Sequence, residues 1–141
     1  MTVLYAESSA VLRWLLGASD SDRLDAALTS ATAVVTSELT TAEVGRSLQR
    51  LVATAALDSG DGERAWASYS ATSQHWHVYS VSDRILGRVT QTFPREPVRT
   101  LDAIHLATAL LHTTEIGALV VLSIDQRVRA NADALGLAVV P

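Results

Sequence analysis

Four carboxylates carry the chemistry that this chain of 141 residues can do: Glu7 in LYAESSAVL, Glu43 in TSELTTAEVGRSL, Asp102 in RTLDAIHLATALL and Asp125 in LSIDQRV. Glu7 and Asp125 directly follow short apolar runs of strand character. Glu43 and Asp102 lie in the early turns of helical stretches. Asp102 is the most conspicuous, because Leu101, Ala103, Ile104, Leu106, Ala107, Ala109, Leu110 and Leu111 surround the helix axis with apolar side chains. A carboxylate beside a core is costly unless a positive charge or a set of donors meets it. Acids gathered at one rim repel one another, and a hard divalent cation resolves that repulsion. Mg²⁺ or Mn²⁺ suits an all-oxygen set and leaves room for water and phosphate oxygens. Such an ion activates water and stabilises in-line attack on phosphorus.

Each acid also has a structural reading. Glu7 and Asp125 suit helix N-termini, where a carboxylate meets free backbone N–H groups. Glu43 lies three residues before Arg46 and seven before Arg50, a surface ion-pair spacing. Thr100 and Asp102 suit an N-cap and a first-turn acid. What favours chemistry is that all four fall at equivalent places in the order of elements.

That order alternates. TVLYA (2–6) reads as a strand and 8–17 as a helix closed by Gly17, with a second short helix over 19–30. TAVVT (32–36) is a strand before a long helical stretch, 37–57. Gly60 and Gly62 break the chain ahead of a helix at 63–71. WHVYSV (76–81) is a strand, 82–93 a helix, and Pro94 and Pro97 mark a loop before the helix at 100–112. GALVVLS (117–123) is a buried strand, 125–136 a helix closed by Gly136, and LAVV (137–140) a last strand. Strands alternating with helices imply right-handed crossovers and a mostly parallel sheet of about five strands, covered on both faces. In such sheets the site lies outside the carboxyl ends of the strands, which is where all four acids fall.

Composition bounds the rest. One domain over 1–141 is the economical reading, and 48% apolar with 18% charged residues describes a chain that buries a core. Cysteine is absent, which excludes disulfides, thiolate metal sites and a cysteine nucleophile. The longest apolar run, IGALVVL, is too short to span a bilayer, and Glu7 and Arg13 spoil the first segment as a secretion signal. We therefore expect a cytoplasmic protein with no membrane partner. The net charge of −4 speaks against non-specific nucleic-acid binding. Setting the four rim acids aside leaves 11 acids against 11 arginines, so the excess belongs to the proposed metal pocket.

The segments LYAESSAVLRWLL, TSELTTAEVGRSL, RTLDAIHLATALL and VVLSIDQRVRANADALGLAVVP, in that order and spacing, resemble the PIN-domain proteins. More narrowly the chain resembles the VapC-type toxins of bacterial toxin–antitoxin pairs, across essentially its whole length. The resemblance implies a three-layer αβα sandwich and a metal-dependent endoribonuclease acting through Glu7, Glu43, Asp102 and Asp125. Glu7, Asp102 and Asp125 would bind the metal, with Ser8 or Ser9 and Ser123 orienting a carboxylate or a water. It implies Mg²⁺ (or Mn²⁺) as cofactor, RNA cut to a 5′-phosphate and a 3′-hydroxyl, and a VapB-like antitoxin that sets an arginine near the acids. The helices at 8–17 and 37–57 carry more apolar surface than one small sheet needs, so a second copy of the chain, making a homodimer, and an antitoxin segment are expected to cover part of it. One departure stands out: the family pattern begins D-[TS]-S-A, and this chain has ESSA. The extra methylene moves the oxygens by about 1.5 Å, and a silent PIN-like binding module is the alternative that this raises.

Other residues read as structural. His105 shares a helix stripe with Asp102, Thr108 and His112 and suits a hydrogen-bond partner better than a catalyst. His75 and His77 flank Trp76 at a solvent-facing strand start. Trp14 suits a core or a subunit contact. Arg13, Arg46, Arg50 and Arg84 suit solvated helix faces. A receiver-like phosphoryl-transfer domain requires a late lysine, and this chain has none.

Overall fold

A computed structural model of the chain describes residues 1–141. Five strands, β1 (Val3–Ala6), β2 (Ala33–Ser37), β3 (His77–Tyr79), β4 (Val120–Leu122) and β5 (Ala138–Val140), form one sheet in the order β3-β2-β1-β4-β5. Every pairing is parallel, with Tyr5 opposite Val35 on one side and Val121 on the other. Seven helices connect and cover them: α1 (Ser8–Leu15), α2 (Ser21–Ser30), α3 (Glu38–Ala53), α4 (Ser59–Ser73), α5 (Asp83–Val89), α6 (Thr100–Glu115) and α7 (Gln126–Ala134).

The two-residue side-chain period of a strand sorts the core into two layers. Leu4, Ala6, Val34 and Leu122 face α1 to α4, meeting Val11, Leu24, Val44, Leu48 and Tyr69. Tyr5, Val35 and Val121 face the other way, against Ala103, Leu106 and Ala109 of α6 and Val128 and Ala132 of α7. The result is the αβα sandwich expected. No helix is long and apolar enough to cross a membrane.

Two differences from the sequence reading have physical causes. α4 runs through Gly60 and Gly62 instead of starting after them. Asp58 caps it by accepting from the Gly60 N–H at 2.8 Å, and a Cβ on Gly62 would stand only 2.8 Å from Val52 Cγ2. The glycine serves close helix approach, not a chain break. The long helix from 37 ends earlier than expected, at Ala53, because Ala55 adopts φ +58° and turns the chain toward α4.

The direction of crossover reverses at β1 and β4: β1 leads by way of α1 and α2 to β2 on one side, and β4 leads by way of α7 to β5 on the other. These adjacent strands open a crevice at their carboxyl ends. Glu7 and Asp125 stand at its two lips.

Candidate functional site

Glu7, the residue after β1, caps α1 and is 3% exposed. Four donors meet its carboxylate. Oε1 accepts from the Ser9 backbone N–H at 3.1 Å and from Ser8 Oγ at 2.8 Å. Oε2 accepts from Ser9 Oγ and, at 2.7 Å, from Ser123 Oγ. Ser123, at the end of β4, in turn accepts from the Asp125 N–H at 3.1 Å, and Ser9 Oγ accepts from the Ile124 N–H at 3.2 Å. The three serines thus sew the β1 lip to the β4 lip through one carboxylate.

Glu43 reaches the same place from the second turn of α3. Its Oε1 lies 3.0 Å from Ser8 Oγ, whose single proton is shared with Glu7, and 2.5 Å from His105 Nε2. A carboxylate only accepts, so Nε2 of His105 donates; in the neutral ring Nδ1 then accepts from the Tyr5 hydroxyl at 2.8 Å. Burial, with the charges of Glu7 and Glu43 behind it, pushes the Tyr5 phenol well above its ordinary range, so it remains a donor. For Glu43, burial by itself acts upward. Its pairing with His105, the Ser8 hydroxyl and the Arg99 charge outweigh it, and the carboxyl is held below its usual value. Neither Arg46 nor Arg50 pairs with it, so the surface ion-pair reading of Glu43 is replaced by a buried histidine partner.

Asp102 sits in the first turn of α6, 8% exposed, and Asp125 caps α7. Asp125 Oδ1 accepts from the Arg127 N–H at 2.8 Å and the Val128 N–H at 3.4 Å, so its capping role is real. Its Oδ2 and the Oδ2 of Asp102 share one guanidinium: Arg99 donates from Nε to Asp102 at 2.8 Å and from Nη2 to Asp125 at 3.2 Å. Arg99, not Thr100, holds the N-cap position of α6, and its side chain makes no capping bond.

All four acids therefore lie on one continuous chain of contacts, from Glu43 by way of Ser8 to Glu7, by way of Ser123 to Asp125, and by way of Arg99 to Asp102. One turn of α6 joins Asp102 to His105 and brings the chain back to Glu43. As they stand, no three carboxylates or imidazoles converge on a point where one ion would be caged. The donor set is nonetheless that of a hard cation: four carboxylates and three hydroxyls, no sulfur, and a guanidinium already seated between two of the acids. In chemistry the residues fit Mg²⁺ or Mn²⁺.

The stripe drawn through α6 divides. Asp102 and His105 reach the rim, whereas Thr108 bonds the Ile104 carbonyl at 2.7 Å and His112 Nδ1 meets the Tyr79 hydroxyl at 2.8 Å, over β3. Arg13 and Arg84 pair with Asp20 and Glu115, away from the acids. His75 and His77 are exposed. Trp14 packs against the α1–α4 core with its Nε1–H on Asp25 at 3.1 Å. The residues that sequence reasoning passed over are Tyr5 and Arg99. For Arg99 a signal existed: it stands three residues before Asp102, a helical ion-pair spacing. A tyrosine in an apolar strand gives no such signal.

The PIN domain family model matches residues 4–135. Ribonuclease VapC46 of Mycobacterium tuberculosis is 36% identical to this chain over 140 residues, which is 99% of this chain and 98% of that protein. Two solved structures share the fold. FitAcB from Neisseria gonorrhoeae superposes with a TM-score of 0.73 at 18% identity, over 98% of this chain and 96% of its own. A toxin–antitoxin complex from Klebsiella pneumoniae gives 0.67 at 17%, over 100% and 97%. The chain belongs to the PIN-domain family, alongside the VapC proteins of that family.

Proposed function

We propose that this chain is a metal-dependent endoribonuclease toxin, hydrolysing RNA phosphodiester bonds at the carboxylate rim and neutralised by a cognate VapB-like antitoxin. The observation that carries the reading is the continuous network joining Glu7, Glu43, Asp102 and Asp125 at the crevice between β1 and β4. The name of its relative, a ribonuclease, and the toxin–antitoxin assembly of a structural neighbour support it.

Asp102, Asp125 and Glu7 would hold Mg²⁺ or Mn²⁺. A cation there supplies positive charge against the phosphodiester and acidifies water. The chain's own groups do the positioning. Ser8, Ser9 and Ser123 fix the Glu7 carboxylate. The Tyr5–His105 pair and Ser8 hold Glu43 by Oε1, which leaves Oε2 to accept from an attacking water. Because Glu43 is held below its usual range, it is a carboxylate at neutral pH and acts as acceptor, not acid.

A partner segment that lays a basic side chain over these acids would neutralise the charge a cation otherwise neutralises. The groove between α3 and α4, about 600 Å³ and lined by Leu48, Val52 and the partly exposed Trp66, supports a protein partner. We further propose a homodimer in the cytoplasm.

One observation favours a second reading, the catalytically silent binding module: both Glu7 oxygens are already engaged by donors. Calorimetric titration of Mg²⁺ and Mn²⁺ into antitoxin-free protein, with RNA cleavage measured in parallel, separates the two. Binding and cleavage lost together in Asp102→Asn support the nuclease. No binding in the wild type, regained in Glu7→Asp, supports the silent module.

A further inference from the structure

The Asp102–Asp125 end of the rim already contains a cation, and the chain supplies it. Arg13, Arg64 and Arg84 pair with acids elsewhere, whereas Arg99 is the arginine ion-paired to the rim. It contacts both acids through different nitrogens, Nε to one and Nη2 to the other. The acids are fixed. Asp102 lies on a buried helix face with a side chain 11% exposed, and Asp125 is tied to the N-terminus of α7 by its other oxygen. The guanidinium is not fixed in this way: its side chain is 59% exposed, its only side-chain hydrogen bonds are to these two carboxylates, and leaving them opens no core.

We propose that Arg99 is an internal counter-ion of the rim, exchanged for the divalent cation when the cation binds, so that this chain's own arginine sets its metal affinity. The proposal rests on the metal-nuclease reading above and deepens it. Two positive charges contend for Asp102 Oδ2 and Asp125 Oδ2, and occupancy by one excludes the other. When only a fraction of molecules presents a free pair, apparent affinity falls by that fraction. An exposed but doubly bonded guanidinium is a modest competitor, and removing it should tighten binding roughly three- to tenfold. A lysine ammonium is a single point charge that cannot bridge both acids in this geometry, so it competes less well.

The test is Mn²⁺ calorimetry on ion-free wild type, Arg99→Gln and Arg99→Lys. In parallel, the Arg99 Nε–H resonance of the wild type is followed as Mg²⁺ is added without RNA. The expected result is tighter Mn²⁺ binding in Arg99→Gln by the stated factor, an intermediate value in Arg99→Lys, and an Nε–H signal that moves with the binding midpoint. Wild-type binding with unchanged or weaker binding in Arg99→Gln, or an Nε–H signal indifferent to Mg²⁺, overturns the exchange and leaves the nuclease reading standing. If neither wild type nor Arg99→Gln binds Mn²⁺ and RNA stays intact, the metal-nuclease reading falls and the exchange falls with it.

Discussion

Replacing His105 with leucine keeps an apolar side chain of similar size inside α6 and removes both ring nitrogens from the Tyr5–His105–Glu43 relay. The two abandoned partners differ. Tyr5 is 1% exposed, so its hydroxyl loses its 2.8 Å bond with no water to replace it. An orphaned buried hydroxyl costs about 1–3 kcal/mol. Glu43 loses a charge-assisted bond but has a side chain 25% exposed, and hydration recovers part of the loss, leaving about 1 kcal/mol. The sum is about 3 kcal/mol, or a fall in Tm of roughly 10 °C for a domain of this size. Removing both members of a buried pair costs less than stranding one. Tyr5→Phe in the His105→Leu background should therefore recover about 1 kcal/mol, whereas in the wild type it destabilises. The Glu43 share has its own pH signature. Its folded pKa lies below the unfolded value of about 4.3, so its stabilisation is complete above that value and is lost as pH falls through the folded one. The gap between wild type and variant narrows in that acid window. Urea melts of the four proteins from pH 7 to pH 3 check all of this. A His105→Leu variant within about 0.5 kcal/mol of wild type, a spread ordinary for surface substitutions, refutes the reasoning.

Substitutions at three further positions separate scaffold from site. Asp125→Ser keeps a capping oxygen on α7 but removes the charge, and is expected to melt within about 0.5 kcal/mol of wild type while losing Mn²⁺ binding in calorimetry. Asp125→Ala loses both, and its melting should fall by about 1 kcal/mol. Ser123→Ala strips one donor from Glu7 and the acceptor of the Asp125 N–H; urea melts should show a cost of about 1–2 kcal/mol, together with slower RNA cleavage. Gly62→Ala gains up to about 1 kcal/mol of helix propensity but drives a methyl against the stiff Val52 at 2.8 Å. Overpacking of about 1–3 kcal/mol outweighs the gain, so the melting temperature should drop.

The alternation of apolar runs with helical stretches was enough to order all twelve elements and to bring Glu7, Glu43, Asp102 and Asp125 to one edge, because parallel topology converts chain position into place. What stayed hidden was pairing across the fold. Glu43 meets His105, 62 residues away, and Tyr5 meets it across 100. No local spacing encodes either contact, and the nearer Arg46 offered a false partner. Gly62 misled for the opposite reason: a glycine that ends helices in isolation is required inside one when a neighbouring helix presses on it.

The threading of the sheet also sets when the site exists. β1, made first, lies at the centre, and one of its flanking partners, β4, is made near the end. The Glu7 cage takes two of its serines from the first nine residues and the third from position 123. A chain still emerging from the ribosome holds Glu7, Glu43 and Asp102 yet lacks the strand that aligns them. At about 5–20 residues per second, Glu7 and Glu43 wait several seconds or more for β4, which begins at Val120. The rim cannot be assembled before β4 and Ser123 have been made, so the activity proposed here waits on that strand.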